Sequence, residues 1–451
     1  MSTIVRPTAR DRDVDVASGQ ARAEQVRAAN REHMFPCETR LYDEPLVLAR
    51  AQGTRVWDVE GREYLDLFSG ILTTSVGHCN PEVVERVQQQ VATLGHTSTL
   101  YLTPNEVEAA QALASIAPGR LNRTFFTNSG TEAIETAVML ACMYTGRTEV
   151  VALRHGYSGR SMLATGLTAH ASWRPPSAAL VAVKHAVSPY AYRCPFRQPC
   201  DERCTDAFIR DLEEVIITTT SGKPAAFLAE TIQGVGGYVV PPPGYFQRAA
   251  EVIRRYGGLL IIDEVQAGFG RTGDHWFGIE HWDVEPDIMV MAKGIANGLP
   301  VGATMTREEI AKAWSVKTIS TFGGNPVSMA ALLATHAIMV RENVPARAQL
   351  RGAQLRTGLV AMQQRHAWIG DVRGMGLMLA LELVEDAQTK QPSPAKAKRL
   401  LEAARAEGVL IGIGGLHGNV IRIGPQLLIS EAEIDTGIDR LARACQRVEA
   451  A

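Results

Sequence analysis

From about residue 54 onward, short apolar runs alternate with stretches whose apolar residues recur every three to four positions. Arg123–Thr127 (RTFFT), 149–153, 179–183, 225–229, 259–262 and Ile288–Met291 are each bounded by turn residues or charge, as buried strands are. Residues 132–144 (EAIETAVMLACMY), between the first two, carry the helical spacing. Strands separated by helical stretches predict an α/β fold, a mostly parallel sheet with helices on both faces. Beyond Pro326 the pattern changes to long helical segments over 328–342 and 346–364. These are followed by 373–383, an Ala/Lys/Arg-rich helix over 395–407, and Val420–Ile423. That portion reads as a smaller α+β domain. No internal repeat is visible, which argues against solenoids.

Composition narrows the classes. A chain of 451 residues, 46% hydrophobic and 21% charged, is ordinary globular material with room for two or three domains. A formal charge of −2 gives no footprint for nucleic acid, and no apolar stretch approaches the roughly 18 residues that span a bilayer. Seven cysteines, an odd number, and no leader-like opening suit the reduced cytoplasm. The first thirty residues mix arginines with Asp11, Asp13 and Asp15, which reads as a flexible polar segment rather than a transit peptide. Cys194, Cys200 and Cys204 are spaced too widely for the usual zinc pairs, and the nearest histidine is His185, so they read as a surface loop with no metal.

Lysine is scarce, eight against thirty-eight arginines, so a search for a chemically special one is short. Lys184 and Lys293 each end an apolar run, and Lys293 (MAKGIANG) is followed by glycines that leave space around an ammonium. Asp263 closes LLIID thirty residues earlier, about one strand, crossover and strand, so both can emerge at one carboxyl edge of a sheet. An acid and a lysine there suit pyridoxal phosphate: the lysine forms the imine, and the carboxylate keeps the ring nitrogen protonated. A structural salt bridge is the simpler alternative.

A phosphate site fits Ser129-Gly130-Thr131-Glu132, between a strand and a helix, with Ser129 and Glu132 at capping-box spacing. A plain helix cap has the same pattern. Tyr157 follows the next strand and can stack on a ring or fill the core. Gly268–Gly273 matches G-x-G-x-x-G, but four residues separate it from LLIID and no clean helical period follows, so a dinucleotide site is disfavoured.

Several stretches together resemble the class III (ω-type) aminotransferases of fold-type-I pyridoxal phosphate enzymes, over nearly the whole chain. They are WDVEGREYLDLFSGILTTSVGHCNP, TNSGTEAIETA, RHGYSGRS, AETIQGVGG, LLIIDEVQAGFGRTG, MAKGIANGLPVGA, TFGGNPVSMAA, VRGMGLMLALEL and VIRIGPQLLI. The forms FSGI, GHCNP, KGIANGLP and TFGGNP look most like the branch containing alanine–glyoxylate aminotransferase 2 and 3-amino-2-methylpropionate–pyruvate aminotransferase. The resemblance implies a large cofactor-binding domain over 66–326 and a small domain from 31–65 and 327–451, behind the flexible 1–30.

The resemblance also implies roles. Lys293 is the Schiff-base lysine and proton shuttle, Asp263 the partner of the pyridinium nitrogen, and Gln266 a donor to the ring hydroxyl. Val265 and Tyr157 flank the ring, while Ser129, Gly130 and Thr131 hold the phosphate. Thr321 joins from the neighbouring subunit, which makes a homodimer with shared sites, or a tetramer built from it. Arg422 receives a substrate carboxylate, Glu230 pairs with Arg422 when a longer donor binds, and Arg160 is a second carboxylate contact in some relatives. The implied reaction moves an amino group from an amino acid or ω-amino acid to a small 2-oxo acid. An aminomutase, decarboxylase or lyase on the same scaffold is the alternative. Pro425-Gln426 stands where Pro-Pro is usual, which blurs substrate identity rather than chemistry.

Overall fold

A computed structural model describes residues 16–175, 182–196 and 202–450. At its centre is a seven-stranded sheet in the order Arg123–Thr127, Gly302–Thr306, Ile288–Met291, Leu259–Asp263, Ala226–Glu230, Val150–Leu153, Val183–Ala186. Every neighbouring pair is parallel except at Gly302–Thr306, which runs antiparallel to both its neighbours. The period of two in each strand divides the core between two faces. Leu228, Ile261 and Val290 pack with Ile134, Val138 and Ala141 of the helix Gly130–Thr145. Phe227, Leu260, Ile262 and Met289 face Phe208 and Leu212 of Glu202–Thr219 and Phe246 and Ile253 of Tyr245–Arg255. Burial on both faces is why these strands read as unbroken apolar runs.

Two smaller sheets complete the architecture. Leu48–Gln52, Arg55–Asp58 and Glu63–Asp66 form an antiparallel sheet that Val409–Leu410 extends in parallel. Ile369–Met375, Met378–Leu383, Val420–Ile423 and Gly412–Gly414 form the other, so the stretch 373–383 is mostly a tight hairpin. The helices Pro326–Arg341, Val344–Arg365 and Pro394–Ala406 appear within two residues of expectation, and Glu431–Ala450 is an added one.

Three features depart from the sequence reading. A helix, Val16–His33, occupies much of the segment expected to be flexible. It can lie against the backbone at Val59 because Gly19 has no side chain, since a Cβ there would meet the Val59 carbonyl at 2.7 Å. Ala23 is fully buried beneath it, and Arg27 donates to the Pro45 carbonyl. Residues 1–15 lie outside the described residues. The strand expected over 179–183 begins only at Val183, with 176–181 also outside. As the sheet's edge it pairs on one side alone, which tolerates Lys184 and His185. Gly302–Thr306 (GATMT) gave no apolar signal because small residues are required where it passes the Ser129 carbonyl, 2.1 Å from where a Gly302 Cβ would sit.

Candidate active site

Glu230 and Asp263 end adjacent parallel strands as register partners, and Asp263 in turn pairs with Val290. Three residues beyond Val290 the chain turns at Lys293, whose φ of +47° lies in the left-handed region that a lysine avoids. That strained turn fixes the lysine beside the two carboxylates. On the facing side the helix Gly130–Thr145 begins. Ser129 Oγ accepts the Glu132 N–H at 3.2 Å, and the Glu132 carboxylate accepts the Asn128 N–H at 2.6 Å. The cap thus satisfies flanking groups while the Gly130 and Thr131 N–H groups precede the first intrahelical bond and remain available to an anion.

These elements enclose a cavity of about 290 Å³ lined by Ser129, Gly130, Thr131, Tyr157, Asp263, Val265 and Lys293. A Cβ on Gly130 would come 3.3 Å from Val265, so glycine keeps that wall open. Gly159, unremarked in the sequence, buttresses Thr131: at φ +131° it leaves 2.3 Å between a notional Cβ and Thr131 Oγ1.

The other predicted residues do not line this cavity. The buried Glu230 carboxylate accepts the N–H of Tyr157 at 3.0 Å and of Gly234 at 2.7 Å. Arg422 donates to the Ile413 carbonyl at 2.9 Å and to the Gly234 carbonyl at 3.4 Å. The expected Glu230–Arg422 ion pair is therefore not made here. Gly234 stands between them, donating its N–H to the carboxylate and accepting the guanidinium on its carbonyl, which belong to the successive peptides on either side of its Cα. Phe68 and Tyr238, absent from the predicted set, sandwich Arg422 with ring centroids 5.1 and 5.8 Å from its Cζ. Only FSGI hinted at Phe68. Gln266 is buried behind Gly234, with Oε1 unpartnered among the described residues. Arg160 is exposed near Tyr157, its backbone N–H reaching Thr131 Oγ1 at 3.4 Å. Thr321 is exposed on the surface.

The electrostatics suit a guest that is cationic at the Asp263 end and anionic at the helix start. Burial pushes Asp263 up to about 6, with the Val265 N–H and Lys293 pulling it back. Burial, then the charge of Asp263, pushes Glu230 up to about 8. Burial also holds the Lys293 amine below its ordinary range, against the pull of Asp263 and Glu230. Asp263 Oδ1 accepts the Val265 N–H at 2.9 Å, while Oδ2 has no hydrogen bond among the described residues. A buried carboxylate with one free oxygen, an amine biased toward neutrality and an anion-ready helix start fit pyridoxal phosphate in charge and in donor set. The glycine run 268–273 forms a turn followed only by the short 3-10 helix Gly278–Trp282, and its Arg271 donates to the Leu377 carbonyl, so it is a packing element. The Cys194 and Cys204 sulfurs lie 3.7 Å apart, and Cys200 lies outside the described residues.

A family profile described as Aminotransferase class-III matches residues 39–445. The chain belongs to the class III aminotransferases. It is similar to the mitochondrial alanine–glyoxylate aminotransferase 2 homolog 2 of Arabidopsis thaliana, 41% identical over 92% of this chain and 85% of that one. It is also similar to a leucine/methionine racemase of Thermococcus litoralis, 36% identical over 92% of this chain and 94% of the other. Among solved structures, a PLP-bound amine transaminase from an uncultivated Pseudomonas species superposes with TM-score 0.85 at 35% identity, covering 90% of this chain and 95% of that one. This class III aminotransferase is accordingly a fold-type-I enzyme that uses pyridoxal 5'-phosphate.

One pH dependence follows from the carboxyls. Native Glu230 holds its proton more tightly than an ordinary glutamate of 4.5, so its contribution to stability is complete below about 4.5 and is lost as pH rises through about 8. The cofactor-free aminotransferase is expected to unfold at lower urea concentration at about pH 8.5 than at about pH 6, and Glu230→Gln should flatten that decline. Equal slopes in wild type and variant would remove Glu230 as its source.

Proposed function

We propose that this aminotransferase moves an amino group from an α- or ω-amino acid of the alanine, β-alanine, 3-aminoisobutyrate or 4-aminobutyrate type to a small 2-oxo acid such as glyoxylate or pyruvate. It does so in two half-reactions at one site. The observation that carries this reading is a buried guanidinium, Arg422, separated from Glu230 by one residue, Gly234, and within electrostatic reach of Lys293. It offers a planar fork matched to one carboxylate.

Bound in the cavity, pyridoxal phosphate supplies an aldehyde carbon that captures amines and a ring that accepts electrons. Gly130 and Thr131 would hold the phosphate with N–H and hydroxyl donors. Asp263 would keep a proton on the ring nitrogen, Gln266 would donate to the ring hydroxyl, and Tyr157 and Val265 would flank the ring. Lys293 would anchor the cofactor through Nζ and, as a free amine, would carry the proton away from the substrate carbon, a task suited to an amine whose burial favours the neutral form.

The test is an acceptor panel. With one donor held saturating, pyruvate or glyoxylate should exceed 2-oxoglutarate in kcat/KM by about tenfold or more, because one buried guanidinium matches one carboxylate. A preference for 2-oxoglutarate would overturn this acceptor assignment.

We also propose a homodimer with shared active sites, working in the cytoplasm. Leu100, Tyr101 and Leu102 are 70, 68 and 89% exposed, and Val316, Ile319 and Phe322 are exposed beside Thr321. Hydrogen bonds between Thr99 and Ser320 tie the two segments together. So large an apolar surface suits a subunit contact. Mixing Thr321→Ala with Lys293→Ala subunits puts both lesions in one site and leaves the other intact, so activity should reappear. No recovery, with subunit exchange confirmed by mass spectrometry, would place Thr321 outside the partner's site.

A further inference from the structure

The Gly234–Gly237 turn carries more of the site than its composition suggests. It is closed by the Gly237 N–H on the Gly234 carbonyl at 3.2 Å. Its sequence, Gly-Val-Gly-Gly, has a single side chain, and glycine-rich backbone loses the most freedom on being fixed. Yet Gly234 holds both Glu230, on its N–H, and Arg422, on its carbonyl. Reciprocal hydrogen bonds between Gln233 and Val239 close the base of the turn, and two further contacts hold it from outside. Gly415 donates its N–H to the Val235 carbonyl at 2.9 Å, and Arg373 donates Nε to the Gly237 carbonyl at 2.8 Å.

Arg373 is itself held in place on several sides, with the Tyr190 ring centroid 4.8 Å from its Cζ. It is buried, and its Nη1 meets Glu382 at 2.6 Å and Asp371 at 2.9 Å. Arg193 pairs with the other oxygen of Glu382. Gly237 has φ +105°, and a Cβ there would come 3.0 Å from Arg373 Nη2, so the approach requires glycine. Burying such an ionic group is a poor route to stability, which leaves the fixing of geometry as its better-supported use.

We propose that Arg373 is a positioning residue for carboxylate recognition: by anchoring Gly237, whose N–H bonds the Gly234 carbonyl, it orients the backbone at Gly234, and through it the Arg422 and Glu230 side chains. This rests on the reading of Arg422 as the carboxylate-binding arginine. Loss of the anchor loosens recognition of the oxo-acid carboxylate and leaves proton transfer at Lys293 in place.

The test uses the holoenzyme and two half-reactions, one with pyruvate and one with an amine that has no carboxylate. Arg373→Lys keeps a charge against Glu382 and Asp371 but loses the planar Nε donor. KM for pyruvate should rise about tenfold, with rates for the carboxylate-free amine within about twofold of wild type. Arg422→Leu is measured alongside. If it shows no loss selective for pyruvate, the reading of Arg422 fails. If it shows that loss and Arg373→Lys shows none, or loses equally with both substrates, the positioning role is overturned. Should Arg373→Lys not fold, Glu382→Gln keeps the Arg373 side chain but weakens its hold. It should give a smaller rise with the same selectivity, and an unselective loss would overturn the role equally.

Discussion

Lys293→Ala is expected to abolish steady-state turnover, lowering kcat by at least about 10²–10⁴-fold, while the fold persists. Lys293 is the one lysine lining the cavity among the described residues, and Lys184 lies in the edge strand Val183–Ala186. No second amine can replace it. The fold should survive because the lysine is a cost to it: its ammonium is desolvated and its backbone sits at φ +47°. Asp263 and Glu230, already pushed up to about 6 and about 8, can take protons once their cation is gone. Kinetics with a thermal melt check both halves. Borohydride reduction of the wild type should leave the cofactor adduct on the Lys293 peptide, and an adduct on Lys184 would refute the assignment.

The second large effect is expected at Arg422. Arg422→Leu should raise KM for pyruvate or glyoxylate by about 30-fold to several thousand-fold, the equivalent of about 2–5 kcal/mol for a partly buried carboxylate that loses its partner. Leucine can fill the space between Phe68 and Tyr238 without leaving a charge. A donor with no carboxylate should be little affected. Equal losses for both substrate classes in half-reaction kinetics would mean that Arg422 acts on structure alone.

What the sequence made legible was local. Lys293 and Asp263 stood out because lysine is rare and because thirty residues fit one strand-crossover-strand unit, which the register of Asp263 with Val290 reproduces. The buried parallel strands were visible as apolar runs for the same reason that they are buried, with helices on both faces. The helix Glu431–Ala450 is also written in the sequence, since Ile434, Leu441, Ala444 and Val448 recur at helical spacing. Other features depend on residues far apart in the chain. Gly234 separates Glu230 from Arg422 because a turn is pinned by Arg373, more than a hundred positions away. The helix Val16–His33 is docked by Gly19 and Ala23, small residues that leave no amphipathic signature.

The central claim, transamination, is tested most directly by a single turnover without acceptor. Holoenzyme given excess alanine should convert one equivalent of cofactor per site to pyridoxamine phosphate and release one equivalent of pyruvate. Glyoxylate added afterwards should restore the aldehyde form and yield glycine. Inverted alanine, ammonia or carbon dioxide appearing while the cofactor stays in its aldehyde form would contradict the account and assign this site to another reaction of the same fold.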